Sequence, residues 1–168
     1  EGMKMIVANL PKVLDEPGNL DARGQMLLAA SIGATAFQKG LGMIHSMAHP
    51  LSAEYNIHHG LANALLIKFG LEFTIEKANI AQNQELLNKL EKIGGIISNN
   101  TLSDIRLIPK LLGTFINRIG IILGLNEQGI QIEQTSVLAT LAFEDSCHAT
   151  HPFPVSIEDF KAVYNRAL

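Results

Sequence analysis

Four of the chain's six histidines fall within residues 45–59, and the residues around them limit how that stretch can fold. Gly40 and Gly42 bend the chain before it. Pro50 cannot continue a helix, so the preceding residues read as a short helix that stops there. On that helix His45 and His49 are four apart and share one face. His59 and Gly60 open the next apolar run, 61–69, and sit at a helix start. Two helix ends therefore meet, with three imidazoles aimed at one place. Imidazole suits zinc, iron, copper and nickel, and the spacing does not separate them. A plainer reading stands beside this one: two histidines four apart on a helix can simply be half-buried and bonded to backbone.

The rest of the chain reads as helices. Residues 1–14 carry apolar side chains at helical spacing, and Pro17 and Gly18 mark a turn. Asn19 is a good N-cap for a helix over 20–38. Ala29, Ala30, Ser31, Gly33, Ala34 and Ala36 allow close approach there, which predicts a central helix. An apolar helix follows Gly60 to Phe69 or Phe73, and an amphipathic one covers 78–93, closed by Gly94 and Gly95. Residues 96–101 form a link. Thr101 or Ser103 can cap a helix over 104–117, where Pro109 predicts a late start or a kink. After a loop at 120–129, residues 130–149 read as helical, with Val137, Leu138, Leu141 and Ala142 facing inward. His151, Pro152, Phe153 and Pro154 form a rigid connector. Ser156 and Asp159 cap the last helix, which runs to Leu168. No alternating strand pattern, internal repeat or low-complexity tract is found. The fold class is all-α, a multi-helix bundle.

Composition narrows the function. The 168 residues suit one domain with a real core. Apolar residues make up 47% and charged residues 17%, lean for a free-standing soluble domain. A net charge of −3 favours neither nucleic acid nor an anionic membrane surface. No apolar run reaches the roughly 18 residues of a membrane span. The single cysteine, Cys147, excludes an internal disulfide framework and fits a reducing cytosol, so a cytoplasmic location is expected.

Gly40, Leu41, Gly42, His45, Ala48, His49, Pro50, Leu51, Tyr55, Asn56, His59, Gly60, Asn63 and Ala64 together resemble the helical signature of the iron-containing (group III) alcohol dehydrogenases. The tail from Leu138 to Phe160 resembles that family's last two helices, except that His151 and Phe153 replace the Asn and Arg of its usual Asn-Pro-Arg-Pro link. The resemblance implies a fold like the family's C-terminal helical domain, over residues 1–168. It implies that His45 and His59 bind the metal and that His49 lies beside it, near nicotinamide and substrate, as the catalytic histidine. His58 stands where many members have proline and receives no role. Ser52 stands where many have glycine, which implies a local change in the turn. His148 and His151 read as loop histidines without a ligand role.

Several family features are not found in these residues. There is no Gly-rich strand–turn–helix for a pyrophosphate, so no cofactor-binding residue is named and the NAD(P)-binding α/β domain is expected to lie outside this chain. The family's other two ligands are an aspartate and a histidine four residues later. Asp15 and Asp21, the aspartates before His45, have no such histidine. The chain thus reads as a piece that begins downstream of that helix, with two of four ligands for Fe2+, or for Zn2+ as the alternative. The implied activity is alcohol, aldehyde or ketone interconversion with NAD(P) in the full-length parent, this piece being inactive alone and prone to homo-oligomerise. Glu54, between His49 and His59, and Asp145, in the tail, are the carboxylates that could substitute as ligands, although Glu54 reads more plainly as a solvated turn residue. Two other readings remain: a helical remnant or interaction module without catalysis, and a zinc hydrolase-type triad of His45, His49 and His59, which would meet the usual three-ligand requirement.

Overall fold

A computed structural model of the chain describes residues 1–99 and 104–168, and among these there are eight α-helices and no strand. The first two, α1 (Gly2–Asp15) and α2 (Leu20–Ala36), form a hairpin across the predicted turn, and Asn19 caps α2 by accepting from the Ala22 amide at 3.0 Å. A 3₁₀ turn, Phe37–Lys39, leads through Gly40 and Gly42 at φ 100° and 80° into α3 (Met43–Tyr55). Then come α4 (His59–Ile80), α5 (Gln84–Ser98), α6 (Ile108–Arg118), α7 (Thr135–Glu144) and α8 (Ile157–Ala167). Ser156 and Asp159 form the expected capping box at the start of α8.

The main core lies where α3, α4, α7 and α8 meet. Met43, Met47, Leu51, Leu65, Leu66, Leu138, Phe160, Val163 and Tyr164 are fully or almost fully buried there. Gly70 lets α3 and α4 approach closely, because a Cβ at that position would lie 2.7 Å from the Ile44 side chain. A smaller cluster of Ile75, Ala78, Leu90 and Ile108 joins α4, α5 and α6.

The sequence predicts that the helix stops at Pro50; instead α3 runs on to Tyr55 and closes at Asn56, in the left-handed region at φ 55°. The proline removes the amide that would serve the Ser46 carbonyl, a cost that burial of Pro50 and Leu51 outweighs. Nearby, the buried Tyr164 hydroxyl donates to the Met47 carbonyl at 2.6 Å. Ser52 does not alter the turn: it lies inside α3 and its hydroxyl donates to the Ala48 carbonyl.

Other boundaries differ for equally local reasons. Helix α4 continues past Phe73 to Ile80, and the break comes at 81–83, where Gln82 takes φ 49° and Asn83 caps α5. Gly94 and Gly95 lie inside α5, which ends at Asn99, again left-handed. The expected caps Thr101 and Ser103 lie outside the described residues, but Asp104 caps the turn before α6 and Pro109 delays that helix's start. The predicted helix over 130–149 is interrupted by Asp145 in an extended conformation, and Val137 is 60% exposed rather than inward. The largest correction concerns α2. It packs against α1 but leaves Leu20, Leu27, Leu28 and Phe37 at its end exposed, so it is peripheral and not central. No single described helix is long and apolar enough to cross a membrane; α2 with its 3₁₀ extension and α3 together reach that length, but they are bent by 108°.

Candidate metal centre

His45 and His49 lie one turn apart on α3, and His59 is the first residue of α4. The elbow that brings them together is fixed from the tail of the chain. The Gly42 amide is held by the Cys147 carbonyl at 3.0 Å and the Thr150 hydroxyl at 3.2 Å. A side chain at Gly40 would collide with Thr150, so both the positive φ and the contact require glycine there. At the other end, His58 acquires a role the sequence did not supply: it is the N-cap of α4, and its Nδ1 accepts from the Gly60 amide at 3.2 Å.

The three imidazoles converge. Ring centroids are 5.4 Å apart for His45 and His59, 5.3 Å for His49 and His59, and 6.0 Å for His45 and His49. Phe37 meets the His45 ring edge-on at 5.7 Å. Burial lowers the pKa of His45, and the neighbouring imidazoles of His59 and His49 lower it further, against the opposing pull of Asp145. Both main effects favour the neutral ring, which is the form that binds a metal. The Asn63 side-chain amide lies 3.0 Å from His59 Nε2. An amide nitrogen can only donate, so Nε2 is the acceptor, and a metal at this nitrogen would have to displace the Asn63 bond.

His49 has a different partner. Its Nδ1 is 2.7 Å from Oδ2 of Asp145, a residue 96 positions away that the sequence singled out only as a substitute ligand. The other oxygen, Oδ1, accepts from the Ser46 hydroxyl at 2.9 Å and the Cys147 amide at 2.8 Å. Burial works against ionisation of Asp145, but the bonds from His49, Cys147 and Ser46 outweigh it and hold the carboxyl well below the usual carboxylate range. Burial and the adjacent carboxylate push the Cys147 thiol up to about 11.

Among the described residues, one trio of metal-binding side chains has its donor atoms within 4.8 Å of one another: His49, Asp145 and Cys147. The Asp145 oxygens there already accept protein hydrogen bonds, and a thiol raised in this way resists giving the thiolate a metal needs. The trio is therefore a hydrogen-bonded cluster. The three histidines do not form a trio by the same distance, which weighs against a self-sufficient three-histidine site. Glu54 is exposed on α3. His148 and His151 are not free loop residues. His148 Nε2 donates to the Phe143 carbonyl, and its ring stacks on Phe143. His151 packs near Phe73, and its Nε2 is buried without a hydrogen-bond partner among the described residues. A cleft of about 1040 Å³, lined by residues such as Lys4, Lys92, Phe115 and Arg118, contains none of these histidines.

A bent two-helix elbow that brings three imidazoles together inside an all-helical bundle defines a helical domain with a candidate metal centre. The chain matches the Fe-containing alcohol dehydrogenase family, C-terminal, over residues 1–168. It belongs to the iron-containing alcohol dehydrogenase family. It is 28% identical to the NAD-dependent methanol dehydrogenase of Bacillus methanolicus over 100% of this chain and 44% of that protein. It is 31% identical to the lactaldehyde reductase of Escherichia coli K12, over 89% of this chain and 39% of that protein. Its fold superposes on an alcohol dehydrogenase from Oenococcus oeni with a TM-score of 0.89 and 26% identity, covering 99% of this chain and 43% of the other. The chain thus spans less than half the length of these relatives.

Proposed function

We propose that this chain supplies the metal-binding helical part of a nicotinamide-dependent alcohol dehydrogenase, with His45 and His59 as two of the metal's ligands and His49 beside them as the proton carrier. The observation that carries the reading is the convergence of the three rings at centroid separations of 5.3–6.0 Å. The donor set suits a divalent metal: three convergent imidazoles, one of which, His45, is biased to its neutral form. A bound metal would supply Lewis acidity, easing deprotonation of an alcohol oxygen near neutral pH. Two imidazoles are half of a four-ligand shell, so the remaining donors come from residues outside this chain, as does the NAD(P) site.

His49 suits proton transfer because an imidazole can both accept and give up a proton. In the proposed direction an alcohol loses a hydride to the oxidised nicotinamide and a proton to His49, leaving an aldehyde or ketone. Small alcohols and aldehydes are the proposed substrates, in line with the names of the methanol and lactaldehyde enzymes the chain resembles. A cytoplasmic location and homo-oligomeric assembly belong to the same proposal. The test is a full-length protein carrying this chain, supplied with iron or zinc, an alcohol series and NAD or NADP. Alcohol-dependent formation of reduced nicotinamide supports the reading. Metal-loaded protein without any such activity sinks it.

A further inference from the structure

We infer that Asp145 is a positioning residue for His49: its carboxylate fixes the imidazole in the tautomer that carries a proton on Nδ1 and leaves Nε2 as the free base. The inference rests on the reading of His49 as proton carrier and adds the residue that sets it.

The argument is one of donors and acceptors. An ionised carboxylate has no proton to give. At 2.7 Å from Asp145 Oδ2, His49 Nδ1 must therefore be the donor. The neutral ring then has its only lone pair on Nε2, since the tautomer follows from the bond the other nitrogen makes. The carboxylate is itself held in place. Ser46, fully buried on the same helix as His49, donates to Oδ1, and so does the Cys147 amide. A simple helix cap would need only Oδ1, which serves the 3₁₀ turn Ser146–Thr150. The second oxygen is given to His49. The break in helix at Asp145 also has a purpose on this view: it brings the carboxylate from the end of α7 against α3.

Asp145→Asn separates capping from positioning. The amide oxygen can still accept from Cys147, but the amide nitrogen now faces His49 as a donor, which requires Nδ1 to accept and moves the proton to Nε2. Long-range proton–nitrogen correlation spectra of the 168-residue chain, without metal, read the tautomer directly. We expect Nδ1–H in the wild type and Nε2–H in Asp145→Asn. Should that variant fold poorly, Asp145→Ser keeps a capping hydroxyl and removes the partner, and the Nδ1–H form should again be lost. Nε2–H in the wild type, or an unchanged tautomer in the variants, overturns the inference.

In the full-length protein, Asp145→Asn should lower kcat by about ten- to a hundredfold with metal content unchanged, the usual size of a lost supporting contact. Loss of metal in that variant would make Asp145 a ligand and overturn the positioning role. A rate unaffected by His49→Ala would defeat the functional reading while the tautomer result stood. A rate dependent on His49 with no effect of Asp145→Asn on rate or tautomer would defeat only this inference.

Discussion

Burial governs His151. Burial and then its neighbour His148 push its pKa down to about 4, below the ordinary 6.5. Between those values the unfolded chain binds a proton that the folded chain refuses, so stability rises with pH across that window and is lost as pH falls through it. We expect the urea midpoint of wild type to drop from pH 7 to pH 4 by more than that of His151→Leu, which no longer buries an imidazole. Equal drops would show that His151 is not buried in solution. The convergence of His45, His49 and His59 was legible at this scale because its information is local. The four-residue spacing of His45 and His49, and the helix start at His59, are visible in one short stretch. Asp145 was not legible as a partner of His49, because nothing within 96 residues of sequence marks a contact made only by tertiary packing. His58 was missed for a different reason: capping by histidine is outside the usual Ser, Thr, Asp and Asn set.

At the scale of elements, the elbow between the 3₁₀ turn and α3 sets the histidine geometry. Gly40→Ala imposes a side chain at φ 100° and against Thr150. The cost should be about 1–3 kcal/mol, the range for a strained backbone position. Gly18→Ala, where a Cβ meets nothing within 4 Å, should change stability by no more than about 0.5 kcal/mol, as surface substitutions do. Urea denaturation of both variants gives the comparison, and equal effects would remove the elbow's special status. Helix existence was readable from apolar periodicity; several helix ends were not. Pro50 was overridden by burial of the helix face around it, and 81–83 breaks a helix without glycine or proline. Asn56 and Asn99 adopt left-handed backbone, a choice that their short polar side chains permit but do not announce, and Gln82 adopts it without that help.

At the scale of the whole molecule, α2 presents a run of exposed apolar side chains. Its small residues were read as the signature of a central helix, but small side chains only permit close packing and do not state how many faces are packed. Here Leu20 is 80% exposed, Leu27 73% and Leu28 52%, with Phe37 at 55% just beyond. Exposed apolar surface of this kind drives association. Light scattering of the 168-residue chain at low micromolar concentration should show oligomers, and Leu27→Glu with Leu28→Glu should reduce them. A monomer across a wide concentration range would contradict this. The same chain should hold divalent metal weakly, because two neutral imidazoles provide neither a full shell nor charge compensation.

The division of labour among the three histidines is tested most directly by metal content per protein in the full-length protein, measured by elemental analysis for His45→Ala, His59→Ala and His49→Ala. Loss of either ligand removes about a quarter of a four-ligand shell, so metal content and activity should collapse together in the first two variants. His49→Ala should keep its metal while losing rate by about a hundredfold or more, as expected for a general acid–base group. A His49→Ala protein that loses metal as completely as His45→Ala would contradict the account and make all three histidines ligands.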